Sequence, residues 1–219
     1  MTIAKEKEAV LRPDSPIGPL CSDQELFDNP ETWPNPCHHE TLEAIFTPEE
    51  CSKIIRIGSD LSASRASVVK PDGGTKNRPW VRNARIGHLV HDESTDWIFQ
   101  SIAGAIARAN SARWHYELEP TNRFQFTEYR RGGHYIWHMD VGPGHNITRK
   151  LSFSVQLSAP AAYTGGKLQF LHGYTRRTAS CSLGSITIFP SFMLHRVKPV
   201  VLGKRYALVG WVHGAAPLR

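Results

Sequence analysis

No apolar run in the chain approaches the roughly 20 residues that a membrane span needs, and the opening MTIAKEKEAVLRPDSP lacks the apolar stretch of a secretory signal. A cytoplasmic location without a membrane partner is the expectation. Cysteine is scarce: Cys21, Cys37, Cys51 and Cys181 stand far apart with no CxxC pair, so neither a disulfide framework nor a structural zinc clip is indicated, and the thiols read as reduced packing residues. Strong charge of one sign is also missing. A net charge of +6 over 219 residues falls short of a nucleic-acid signature. Repeats, low-complexity tracts, a Ser-His-Asp set and a paired-carboxylate site are likewise absent from the pattern, which leaves little room for nucleophilic or two-carboxylate chemistry.

What is present fits one large domain preceded by an arm. Residues 1–40 hold six of the fifteen prolines and no sustained periodicity, and they read as a Pro-rich extended arm, with Trp33 as its anchor to a domain spanning 41–219. In FTPEECSKIIRIGSDL, Thr47, Pro48 and Glu50 form a capping box that starts a helix. A second helix is expected across 96–110, where Ile98, Ile102, Ile106 and Ala109 share a face. Between them Arg65, Lys70, Lys76, Arg78, Arg82 and Arg85 surround a Pro-Asp-Gly-Gly turn, read as a mobile basic loop between strands.

From residue 122 onward the texture changes to short strands of period two, the pattern of an antiparallel sandwich or barrel. In RFQFTEY, Phe124 and Phe126 oppose Arg123, Gln125, Thr127 and Tyr129. In LSFSVQL, Leu151, Phe153, Val155 and Leu157 oppose Ser152, Ser154 and Gln156. In RYALVGWVH, Tyr206, Leu208 and Val212 oppose Arg205, Ala207, Val209, Trp211 and His213. Solvent could cover each polar face. The alternative is that helices cover the apolar faces while the polar faces line a small-molecule cavity.

HYIWHMDVGPG carries the chemistry. His138 and Asp140 are one residue apart, so on an extended strand both side chains project to one side, within reach of one cation. His195, just past the strand and turn of GSITIFPSFMLH, is the best third ligand. Two imidazoles and a carboxylate leave open positions opposite them, as non-haem Fe(II) oxygenases require, although zinc also accepts such a set. Arg205 follows on the inward parity of a later strand with no anion near it in sequence, and it calls for a carboxylate-bearing cosubstrate or a distant acidic partner.

These residues resemble the iron- and 2-oxoglutarate-dependent dioxygenases of the prolyl 4-hydroxylase type, through EYRRGGHYIWHMD, GGKLQF and GSITIFPSFMLHRVKPVVLGKRYALVGW. The resemblance is strong over 123–213 and looser over 41–122. It implies a mainly β fold with flanking helices: a double-stranded β-helix, or jelly roll, with helices packed on the major sheet. It also implies His138, Asp140 and His195 as Fe(II) ligands and Arg205 as the grip on the distal carboxylate of 2-oxoglutarate. Tyr129 and Trp211 would border the cosubstrate. Gln156 stands where oxygen-sensing prolyl hydroxylases carry a tyrosine, which counts against an oxygen-sensor role.

The implied activity is oxidative decarboxylation of 2-oxoglutarate to succinate and CO2 with O2, coupled to hydroxylation of an unactivated C–H bond of an amino acid or peptidyl residue, proline included. Ascorbate is a candidate stimulant. Arg123, Gln125, Arg78, Arg82 and His213 are candidate substrate contacts. His134 and His145 read as loop or supporting residues, His88, His91, His115 and His172 as structural or exposed, and His38 and His39 as surface residues. Gly165 and Gly166 serve a turn or the site. Two other functions stay open: a non-catalytic metal-binding jelly-roll module, and a nucleic-acid oxidative demethylase, against which the modest charge counts.

Overall fold

The computed structural model describes residues 38–61, 64–66, 68–69, 75–76, 78–172 and 174–215. The expected arm over 1–37 with Trp33, the thiols of Cys21 and Cys37, and Lys70 lie outside these residues, as do the side chains of Arg65 and Lys76. Strands, numbered in chain order, dominate. The seven-stranded major sheet runs in the spatial order β1 (Glu40–Leu42), β13 (Ile186–Pro190), β9 (Arg149–Gln156), β16 (Arg205–His213), β7 (Arg123–Tyr129), β6 (Arg85–Val90) and β2 (Ser64–Arg65). The five-stranded minor sheet runs β12 (Thr175–Thr178), β11 (Leu168–His172), β14 (His195–Val197), β8 (His134–His138) and β5 (Arg82–Asn83). Two short ladders pair β3 (Val68–Val69) with β4 (Thr75–Lys76) and β10 (Tyr163–Gly165) with β15 (Val200–Gly203). All the pairings are antiparallel.

Two helices cover one face of the major sheet. Helix α1 (Pro48–Asp60) begins at the capping box read from sequence: the Glu50 N–H donates to Thr47 Oγ1 at 3.2 Å, and the Thr47 N–H donates to the Glu50 carboxylate at 2.8 Å. The helix approaches the sheet closely at Gly58, where a Cβ would stand 2.2 Å from the Phe126 ring, so only glycine fits. Helix α2 (Asp96–Arg113) runs three residues past the expected end. Its Asn110 side chain then takes up the N–H and C=O of Tyr116, closing the turn that follows.

The parity reading holds on this face. Cys51 and Ile54 of α1 and Ile98, Phe99, Ile102 and Ile106 of α2 pack with Phe124, Phe126, Leu151, Phe153, Val155, Leu208 and Val212 in one core. Phe99 stacks on Phe124 at 4.0 Å between centroids, and Phe153 meets Phe124 edge-on at 5.1 Å. Each such large side chain contributes about 1.5–3 kcal/mol by leaving water. A second core lies between the sheets, built by Tyr129 and Phe189 of the major sheet and Leu168, Phe170 and Val197 of the minor one. The architecture is the expected jelly roll with helices on its major sheet.

Two expectations need correction. Glu40 belongs to the sheet, because β1 pairs with β13 in the register Glu40↔Ile188. The stretch 65–85 is not simply a basic loop: β5 and the start of β6 lie in it, Arg82 is buried, and Arg85 sits 3.9 Å from Glu128.

Candidate metal centre

His138 ends β8 and His195 begins β14, and the register pairs them directly across the minor sheet. Asp140 follows β8 after one residue, and its N–H donates to the Ser191 carbonyl at 2.9 Å, which ties the loop to the end of β13. The three side chains converge. His138 Nε2 lies 3.6 Å from Asp140 Oδ1, His195 Nε2 lies 3.4 Å from Asp140 Oδ2, and one ligand atom from each residue falls within 4.8 Å of the others. Ligand atoms about 2.1 Å from one ion, at angles of 90–110°, would be about 3.0–3.5 Å apart.

The tautomers suit a cation. His138 Nδ1 donates to the Ile136 carbonyl at 2.8 Å and His195 Nδ1 to the Met193 carbonyl at 2.9 Å; a carbonyl only accepts, so both Nδ1 atoms carry the proton. Each Nε2 can therefore present a lone pair, oriented by its own backbone. Burial pushes the His195 imidazole down to about 4, keeping it neutral at pH 7. Burial alone would raise the Asp140 carboxyl, but the neighbouring His195, His138 and Ser152 hold it well below the usual carboxylate range. The donor set thus carries a negative charge and fits a divalent cation, iron included.

Rings enclose the triad. Tyr135 stacks on His138 at 3.4 Å, and Phe189 meets His195 edge-on at 4.7 Å. The cavity beyond it is lined by Tyr129, Ser154, Leu168, Val197, Arg205 and Trp211, so the polar faces of β7, β9 and β16 do point inward. Arg205 is only 4% exposed. Its Nε donates to Gln156 Oε1 at 3.1 Å, its guanidinium lies 5.6 Å from the Tyr129 ring, and among the described residues no carboxylate pairs with it. Gln156 is itself pinned, its Nε2 donating to the Ser158 carbonyl at 2.8 Å and to the Tyr163 hydroxyl at 3.0 Å. Burial raises the pKa of that hydroxyl, and the Arg205 cation opposes the shift.

Beside the triad opens a cleft of about 670 Å³ that includes Arg82, Gln125, Tyr135, Arg149 and Trp211. Gln125 is buried and donates to Thr127 Oγ1 at 3.1 Å. Arg123 and His213 line an adjoining groove, and His213 Nδ1 lies 2.7 Å from Thr148 Oγ1. Arg78 is exposed in a turn, where its carbonyl accepts from the Val81 and Arg82 N–H groups, and it lines neither hollow.

His39 is no surface residue. It stacks on Phe170 at 4.5 Å, and burial pushes its imidazole down to about 4. Sequence reasoning missed Tyr135, Arg149, Tyr163 and the purpose of Gly166. At Gly166 φ is +59°, and a Cβ would stand 2.9 Å from Val200 Cγ2 and 3.2 Å from Arg205 Cδ, so the glycine makes room for the arginine. The Gly-Gly pair was a visible signal of it.

Residues 124–213, the stretch that carries the triad and Arg205, match the family model described as the 2OG-Fe(II) oxygenase superfamily. Over about the same length the chain is 34% identical to a PKHD-type hydroxylase of Idiomarina loihiensis, covering 41% of each chain. It is 40% identical to one of Synechococcus elongatus, covering 40% of this chain and 41% of the relative. The match thus spans about 41% of the length of these curated relatives. The fold is shared more widely. A prolyl-4-hydroxylase of Pseudomonas putida superposes with a TM-score of 0.65 at 17% identity, covering 87% of this chain and 98% of that one. A prolyl hydroxylase of Trichoplax adhaerens, solved with a hypoxia inducible factor peptide fragment, superposes with a TM-score of 0.64 at 18% identity, covering 80% and 83%. Among the described residues no helix is long and apolar enough to cross a membrane.

Proposed function

We propose that the chain is an Fe(II)- and 2-oxoglutarate-dependent dioxygenase that hydroxylates an unactivated C–H bond of an amino acid or peptidyl residue, proline being the residue its structural neighbours' names suggest. The observation that carries this reading is Arg205: a buried cation without a carboxylate partner among the described residues, in the same cavity as the His138, Asp140 and His195 set. Burying an unpaired charge costs several kcal/mol, and a dicarboxylate cosubstrate that reaches from the metal to the guanidinium offsets that cost.

When bound, Fe(II), 2-oxoglutarate and O2 supply the oxidising chemistry, in which the cosubstrate leaves as succinate and CO2 and one oxygen atom goes to the substrate. The chain's part is to bind and orient. His138, Asp140 and His195 would hold the metal, the two imidazoles aimed by their carbonyl partners. Arg205 receives the distal carboxylate with Gln156, Tyr129 and Tyr163 fixing its fork. Trp211 walls the pocket, and the surrounding rings keep water from the reacting centre. No side chain needs to move a proton. Ascorbate, as a reductant that keeps the iron ferrous, is expected to stimulate turnover.

An anaerobic titration of Fe(II) and 2-oxoglutarate into the protein tests the reading through the visible charge-transfer band of a chelated keto acid. The band is expected in the native protein, lost in His138→Ala and weakened in Arg205→Ala. A folded, metal-loaded protein without the band would refute it and favour a binding module.

A further inference from the structure

The cleft beside the triad holds two more arginines that the metal and cosubstrate reading does not use. Arg82 is 8% exposed, and its guanidinium lies 4.8 Å from the Tyr135 ring centre. Arg149 is half-buried, lies 4.0 Å from the Trp211 ring centre and donates from Nη1 to the Asp140 carbonyl at 3.0 Å. The Nε of each is buried without a hydrogen-bond partner among the described residues. Neither forms an ion pair there, and Asp140, which lines the same cleft, is committed to the triad.

Aromatic stacking alone could explain one such arginine. Two on the walls of one cleft, both under-bonded, with a cation-rich groove adjoining it, ask for an anion. The adjoining groove shares His88, Gln125, Arg149 and Trp211 with the cleft and adds Arg123 and His213 against the single acid Glu119. Stacking fixes the plane of each guanidinium and leaves its N–H donors to bond within that plane, the geometry a carboxylate accepts. A cleft of about 670 Å³ is the size of a small-molecule site.

We propose that Arg82 and Arg149 form a carboxylate clamp beside the triad, so that the substrate presents a carboxylate close to the C–H bond that reacts. The carboxylate is the α-carboxylate of a free amino acid or an acidic side chain within a peptide. The word substrate here rests on the dioxygenase reading; the clamp itself does not. Arg82 pairs with Tyr135 across β5 and β8, and Tyr135 lies on His138, so a carboxylate on Arg82 sits one ring away from a triad member.

The test uses the whole protein without added metal or cosubstrate. Saturation-transfer NMR is run with each free protein amino acid beside its carboxamide, and with end-capped tripeptides bearing a central Asp, Glu, Asn or Gln. Binding is expected for carboxylates and not for the matching amides, with the free acids or the acidic tripeptides deciding the source. Arg82→Gln and Arg149→Gln are each expected to weaken it at least tenfold, and Arg82→Lys less. Because Arg149 also supports Asp140, folding of its variant is checked by circular dichroism, and Arg82→Gln carries the test if it fails. Amides binding as well as acids, or no carboxylate binding, would overturn the clamp. Failure of the dioxygenase reading shows separately, as loss of the charge-transfer band in the native protein.

Discussion

Replacing Gln156 separates a pocket that binds a dicarboxylate from one in which Arg205 is merely packed. Gln156 Oε1 accepts from Arg205 Nε at 3.1 Å, and both residues are 4% exposed, so the bond is shielded from water. Gln156→Leu keeps most of the volume but strips the acceptor from a charged donor, which costs about 1.5–3 kcal/mol. It also frees the Ser158 carbonyl and the Tyr163 hydroxyl from their shared donor. The expected loss in melting temperature is about 3–12 °C at roughly 2–4 °C per kcal/mol, with cosubstrate binding weakened about tenfold as the guanidinium wanders.

Gln156→Glu keeps an acceptor for the guanidinium while losing the donor to the Ser158 carbonyl, so its ion pair offsets part of that loss. The carboxylate occupies the charge that the cosubstrate needs. At an effective dielectric of about 20, two like charges about 6 Å apart repel by about 3 kcal/mol, a factor of about 100 in affinity. The assay is the anaerobic 2-oxoglutarate titration beside a thermal melt. A Gln156→Glu protein that binds 2-oxoglutarate within twofold of the native protein would refute Arg205 as its anchor.

Gly166→Ala is expected to lower the melting temperature and weaken 2-oxoglutarate, because φ at +59° disfavours alanine and the new methyl presses on Val200 Cγ2 and Arg205 Cδ; unchanged affinity in the same titration would contradict the packing. Thr47→Ala removes the cap of α1 and should cost about 1 kcal/mol, about 2–4 °C, while leaving the charge-transfer band intact, since the cap lies outside the pocket. His39 confers a pH dependence. Its pKa lies near 4 folded and near 6.5 unfolded, so between those values the unfolded chain binds more protons; its contribution is complete above about pH 6.5 and lost as pH falls toward 4. Urea unfolding of His39→Phe at pH 7.5 and 5 should show a smaller acid loss than the native protein, and an equal loss would exclude His39 as its source.

The fold was legible wherever pattern and local chemistry agreed. The capping box at Thr47, the α2 face and the alternation of β7, β9 and β16 each express one rule over enough residues to be read directly, and the structure realises them. His138, Asp140 and His195 were legible because their spacing and motif context announced them. His39 was not, since its burial depends on Phe170, which lies far off in sequence and reaches it only through the tertiary fold. Tyr163 was hidden for the same reason: it reaches the Arg205 cluster from a short ladder, β10 with β15, that no alternation marks.

Two further misses, Tyr135 and Arg149, share one cause, the β-bulge. Along β8 the register moves from His195↔His138 to Val197↔Tyr135, so one extra residue enters between His138 and Tyr135. Strict alternation would point Tyr135 away from His138; the bulge turns it back, and its ring lies 3.4 Å from the imidazole. Along β9 the register moves from Val212↔Leu151 to His213↔Arg149, so Lys150 is the extra residue. Alternation would put Arg149 with Leu151 on the helix-covered face, whereas the bulge brings it round to Trp211 and the cleft. Bulges gather beside functional sites because they re-aim single side chains without disturbing the strand on either side. Here two of them deliver a tyrosine and an arginine to opposite walls of one cleft, at the places where parity alone reads a sheet's outer face.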